Sequence, residues 1–221
     1  MKAFTSHHGI AAPLRLDDVN TDVIIPTARA IHVAKGSLGR YAFEPLRHDA
    51  QGLENKEFVF NQDRYRNASI IVAGANFGCG SSREMAVWAL DDMGIRCVIA
   101  PSFGDIFFQN CCKIGLLPIS LAPEMVDAIW TELSGNHDPV LTVDLETCEV
   151  RLPSGAVHRF AFDDARRDTF LNGLDDIGQT LRYSNAIAAF VEKDRRLRPW
   201  NYLAPAPDHA AAPHQTETSH R

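Results

Sequence analysis

The sequence predicts an α/β protein with a central, mostly parallel sheet flanked by short strands and helices. Three observations predict it. Between residues 68 and 133, short apolar runs alternate with helical patterns, and that alternation implies crossovers onto parallel strands. The runs are continuous and rich in β-branched residues, as suits strands buried on both faces. The chain has 221 residues, 45% of them hydrophobic, enough for one well-cored domain.

Taken in order, residues 1–26 mix short apolar runs with Pro13, Asp17, Asp18 and Pro26 and read as short strands and turns. Residues 27–57 carry Gly36, Gly39, Pro45 and Gly52 among scattered charges. They read as a loop-rich excursion with one helical turn, of the kind that is usually functional or mobile. Ala68–Ala73 is a buried strand, followed by a Gly-rich turn from Gly74 to Gly80. Helices are expected over Ser82–Met93, Phe103–Ile114 and Pro123–Leu133, the first two closed by Gly94 and Gly115. Cys97–Ala100 and Leu116–Ile119 are the intervening strands, and Pro118 suggests an edge or a strand end for the second. Val140–Val143, Glu149–Leu152 and Val157–Phe160 are short strands, the last two joined as a hairpin by Pro153-Ser154-Gly155. Two helices follow, over Asp164–Leu171 and Asp176–Lys193. Residues 1–202 thus read as one domain. Residues 203–221, rich in Ala, Pro and His, read as a disordered tail.

Composition excludes several functions. The net charge is −6, which argues against nonspecific binding to nucleic acid or an anionic membrane. No apolar run is long enough to span a bilayer, and Met1–His8 lack the apolar segment of a secretory signal. A cytoplasmic protein is expected. The five cysteines, Cys79, Cys97, Cys111, Cys112 and Cys148, include no Cys-x-x-Cys pair. That argues against a disulfide framework and against a metal or iron–sulfur site made by this chain alone.

The informative segment is Gly74-Ala75-Asn76-Phe77-Gly78-Cys79-Gly80-Ser81-Ser82-Arg83-Glu84, between a buried strand and a helix. Ligands of parallel sheets bind at such carboxyl ends, and a helix start offers free N–H donors to an anion. The segment lacks the Lys of a phosphate loop and the third Gly of a dinucleotide fingerprint. It reads as an anion site in which Arg83 could grip a carboxylate through two parallel hydrogen bonds. Ser81 has two compatible readings. It fits the capping-box spacing with Glu84, and its hydroxyl sits where backbone donors would make an alkoxide least costly. Cys79 has no base near it in sequence.

The run Asn76–Glu84 resembles the signature of the swivelling domain of the aconitase superfamily, a β/β/α fold. It is similar in particular to the small subunits of bacterial 3-isopropylmalate dehydratases. Asn20-Thr21-Asp22-Val23-Ile24-Ile25-Pro26, Ala100–Phe107 with Asn110, Gly115–Pro118, Leu171–Gly178 and Arg198-Pro199-Trp200 extend the resemblance in order along the chain.

The resemblance implies an iron–sulfur hydro-lyase of leucine biosynthesis, in which a hydroxy-dicarboxylate is dehydrated and rehydrated. The 4Fe–4S cluster, a Lewis acid toward the substrate hydroxyl, would be carried by a large partner subunit and not ligated by this chain. Ser81 is then the base. Ser82 and Arg83 bind substrate carboxylate, and Asp22 orients a histidine supplied by the partner. Alone, the chain should be inactive. Met85 stands where the family usually carries His. The segment after Pro26, Thr27-Ala28-Arg29-Ala30-Ile31-His32-Val33-Ala34-Lys35, is less apolar than in relatives. Arg29, His32 and Lys35 are therefore candidates for binding the variable end of the substrate, or are solvated charges. Two alternatives stay open: a paralogous subunit acting on citraconate, maleate or a methylated malate, and a noncatalytic anion-binding module.

Overall fold

The structure, a computed structural model, describes residues 1–49 and 51–202; the tail expected at 203–221 lies outside the described residues. The chain forms two compact units, one from Met1 to Gln179 and one from Thr180.

The first unit is organised by a seven-stranded sheet in the order β4-β3-β2-β1-β5-β6-β7. Four strands run parallel: β1 (Ser6–Leu14), β2 (Ile70–Ala73), β3 (Cys97–Ala100) and β4 (Leu117–Ser120). β5 (Val140–Asp144), β6 (Glu149–Arg151) and β7 (Val157–Arg159) add to β1 antiparallel. All four residues of β2 and of β3 are buried, because helices cover both faces of the parallel part. Ile71, Ala73, Val98 and Ala100 share one core with α4 (Glu84–Asp92) and α5 (Asp105–Ile114). Ile70, Val72, Cys97 and Ile99 share the opposite core with α6 (Pro123–Gly135) and with Phe170 of α7 (Asp164–Leu171).

The N-terminal region departs from the expectation of short strands: β1 is one nine-residue strand through Pro13. Ala11 N–H points away from β2 and donates to Pro139 O at 2.8 Å. Pro13, two residues on, presents its missing N–H to the same side, where β5 has already ended, so no ladder bond is lost. Pro118 is tolerated by the same logic. Leu117 N–H donates to Arg96 O beside β3, which turns the next nitrogen toward the open edge, and β4 is an edge strand.

Residues 27–57 hold more regular structure than one turn. After α1 (Thr21–Ile24), which belongs to the preceding region, come α2 (Thr27–His32), a 3-10 turn at Gly39–Tyr41 and α3 (Glu44–Arg47). Long-range contacts with α4 fasten the excursion. Leu38 N–H donates to the Asp92 carboxylate at 2.9 Å, and the Lys35 ammonium lies 4.5 Å from the Trp88 ring centroid. The helix expected over Asp176–Lys193 is broken into α8 (Asp176–Leu181) and α9 (Ser184–Leu197) at Arg182-Tyr183. In the second unit, Asp194 accepts from Arg198 and from the Tyr202 hydroxyl, closing the end of α9.

Candidate active site

The site is built where β1, β2 and β3 end side by side. The segments that follow them are woven together by backbone bonds. Gly78 N–H donates to Val19 O at 2.7 Å, Thr21 N–H to Cys79 O at 2.9 Å, and Phe77 N–H to Ser102 O at 3.0 Å. Isolated parallel bridges pair Asn20 with Cys79 and Phe77 with Phe103. The loop is anchored from below by Phe77, fully buried, whose ring meets Phe107 edge-on at 5.4 Å between centroids.

Close approach explains the glycine at 78. Its φ is +74°, and a Cβ there would overlap the Phe107 ring. Gly78→Ala therefore combines left-handed strain with overpacking. It is expected to cost about 3 kcal/mol, read as a fall in melting temperature of roughly 6–12 °C. An unchanged melting temperature would show that the loop relaxes freely.

The loop then runs through Ser81 and Ser82 to Arg83, which caps α4 in extended conformation without a side-chain bond. Ser81 does not form the capping box that its spacing with Glu84 suggests. Its carbonyl is the engaged group, accepting from the Thr21 hydroxyl at 3.1 Å and from Arg83 N–H at 2.8 Å. The Ser81 and Ser82 side chains are exposed. Both residues precede a helix start, where backbone N–H groups lack intrahelical acceptors.

Thr21 carries Asp22 to the same place. Asn20 caps α1, its side chain accepting from Val23 N–H at 2.9 Å. Asp22, in the first turn, accepts hydrogen bonds from the Arg83 guanidinium and from the Thr27 hydroxyl at 2.9 Å, both on Oδ1. The Arg83 bond first, and the Thr27 bond second, hold the Asp22 carboxyl below its ordinary pKa. The Arg83 side chain is 20% exposed and that of Asp22 55%, so the pair opens to solvent on the carboxylate side. Asp22 and Arg83 are 61 residues apart in sequence; spacing alone could not pair them.

Arg29, His32 and Lys35 are not gathered with these groups by any direct bond. Arg29 is gripped by Glu44 through two hydrogen bonds of 2.8 and 2.7 Å and lies 4.5 Å over the Tyr41 ring. The pairing lowers the Glu44 pKa. Lys35 sits on Trp88, and His32 is exposed at the end of α2. Met85, where His was the family expectation, packs against the core under α4. Thr21, Thr27 and Glu44 organise this region; Thr21 lies inside the Asn20–Pro26 motif, but no spacing in the sequence marks its bond to Ser81 or the bonds of Thr27 and Glu44.

Among the described residues, no group of three or more His, Cys, Asp or Glu side chains is placed to hold a metal ion. Cys97 and Cys111 are fully buried, and burial pushes both thiols up; Cys112 is pushed up to about 11. Thiols that burial keeps protonated in this way do not fit as cluster ligands, which bind as thiolates.

Residues 1–124 match the aconitase C-terminal domain family. The 3-isopropylmalate dehydratase small subunit of Mesorhizobium japonicum is 48% identical over 200 residues, covering 90% of this chain and 100% of that one. That of Rhodospirillum centenum is also 48% identical over 200 residues, covering 90% and 98%. The chain belongs to the family of 3-isopropylmalate dehydratase small subunits. The crystal structure of 3-isopropylmalate dehydratase from Methanocaldococcus jannaschii agrees, at 26% identity and a TM-score of 0.61 over 83% of this chain and 98% of that one. Family membership makes the chain one part of a hydro-lyase that works with a large subunit. It points to the large subunit for the iron–sulfur cluster of the aconitase family. A citraconate, maleate or methylmalate hydratase subunit, or a noncatalytic anion module, is not favoured. No helix among the described residues is long and apolar enough to cross a membrane.

Proposed function

We propose that this chain supplies the base and the carboxylate clamp for the interconversion of 2-isopropylmalate and 3-isopropylmalate by dehydration and rehydration. The observation that carries the reading is the meeting of Asp22 with Arg83 beside Ser81, on a chain 48% identical to dehydratase small subunits along 90% of its length.

In this reading the Ser81 oxygen, as alkoxide, takes the proton from the carbon next to a substrate carboxylate. Charge then develops on that carboxylate, where the Arg83 guanidinium and the Ser82 hydroxyl hold it. The helix N-terminus behind Ser81 and the Arg83 cation both favour the deprotonated serine. Asp22, kept anionic by Arg83 and Thr27, orients a histidine of the large subunit. The large subunit's 4Fe–4S cluster supplies the Lewis acid for the departing hydroxyl.

Residues 27–35 face the variable end of the substrate in this reading. The Arg29 charge is neutralised by Glu44 and the Lys35 charge lies on an aromatic face. The segment therefore presents less free charge than its composition suggests, which suits an isopropyl group. His32 is left as the polar contact at that end. Five free thiols and a biosynthetic role fit a reducing cytoplasm.

The test is reconstitution with the large subunit under anaerobic conditions, assayed side by side on isopropylmalate, citraconate and maleate. Isopropylmalate should be turned over fastest, and only by the two-subunit mixture. Preference for citraconate or maleate, or activity of this chain alone, would overturn the reading.

A further inference from the structure

We propose that Thr27 is a positioning residue for the carboxylate clamp, acting on Arg83 through Asp22. The inference rests on the reading of Arg83 as the group that binds the substrate carboxylate.

Asp22 and Arg83 alone would form a partly exposed ion pair, and such pairs hold their geometry weakly. Here the shared oxygen, Asp22 Oδ1, has a second donor, the Thr27 hydroxyl at 2.9 Å. Thr27 is well placed to fix it. It opens α2, directly after Pro26, whose φ of −60° is set by its ring. Its branched Cβ restricts the hydroxyl to few rotamers. The hydroxyl does not cap its own helix: the N-cap of α2 is Pro26, and no side-chain cap bond is made there. The helix is in turn pinned by the two-bond grip of Glu44 on Arg29 and by Tyr41 beneath that guanidinium. A continuous set of contacts thus runs from Glu44 through Arg29 and α2 to Thr27, Asp22 and Arg83. Movement of α2 at the substrate's variable end would be felt at its carboxylate.

Thr27→Val removes the hydroxyl and keeps the shape; Thr27→Ser keeps the hydroxyl. In the full chain, the Asp22 carboxyl is titrated by carbon NMR. Valine should raise its pKa toward the ordinary carboxylate value, and serine should leave it at the wild-type position. In the reconstituted enzyme, valine should raise KM for isopropylmalate about five- to tenfold with kcat within about twofold, and serine should restore KM. Thr27→Ala gives the same two readings should the valine variant fold poorly. An unmoved Asp22 titration overturns the relay. A moved titration with unchanged KM overturns the positioning role. A wild-type mixture inactive on isopropylmalate overturns the proposed substrate instead. The titration then still decides the relay, and KM is read on whichever acid the panel shows is turned over.

Discussion

Replacing Ser81 by alanine is expected to lower kcat of the reconstituted enzyme about a thousandfold, the range typical for loss of a positioned base, with KM within about threefold of wild type. The expectation is sharp because the hydroxyl has no structural duty. The Ser81 backbone does the local work, its carbonyl receiving the Thr21 hydroxyl and the Arg83 N–H. α4 is capped by Arg83, not by Ser81. Alanine keeps the carbonyl and fits an exposed position, so melting temperature and association with the large subunit should not change. A loss confined to kcat separates the catalytic reading from the capping reading, in which the same substitution would cost about 1 kcal/mol of stability and no chemistry. Full activity in the alanine variant would remove Ser81 as the base.

The contrast at Ser81 shows what the sequence could and could not convey. A strand, a Gly-rich turn and a helix are local patterns, and β2, β3, α5 and α7 stand where periodicity puts them. The S-x-x-E spacing is also local, but it lost to tertiary bonds. Thr21, sixty residues away, holds the serine carbonyl, and the helix begins only after Arg83. The excursion at 27–57 was illegible for the same reason. Its helices are only four to six residues long, too short to persist by propensity. The Arg29–Glu44 pair ties these two helices together, and Asp92 and Trp88 hold the segment between them through Leu38 and Lys35. The positions of Ser81, Arg83 and Asp22 could be matched to a family signature in sequence. That Asp22 and Arg83 meet on one carboxylate oxygen, with Thr27 as third member, is a property of the folded loops.

Arg83→Lys is expected to lower kcat/KM about a hundredfold, mainly through KM, although the charge is conserved. In the proposed complex one guanidinium serves two carboxylates. It donates through Nη1 to Asp22 and offers the rest of its planar fork to the substrate. A lysine ammonium is a point charge without that fork. If it turns to the substrate, Asp22 loses its main partner; if it stays with Asp22, the substrate carboxylate loses two parallel bonds. Losing a charge-assisted, bidentate contact accounts for a change of this size. The Asp22 carboxyl gives the independent readout. Its pKa lies below the ordinary value in the wild type, with Arg83 as the first cause. The pair therefore persists above that ordinary value and is lost as pH falls through the depressed one. In the lysine variant the Asp22 titration should shift upward, so the carboxylate protonates at a higher pH than in the wild type. A raised KM with an unmoved Asp22 titration would mean that lysine still holds Asp22 and that the substrate bonds alone were lost. Wild-type KM with a raised Asp22 titration would show that Arg83 serves Asp22 only, and the substrate clamp would have to be sought elsewhere.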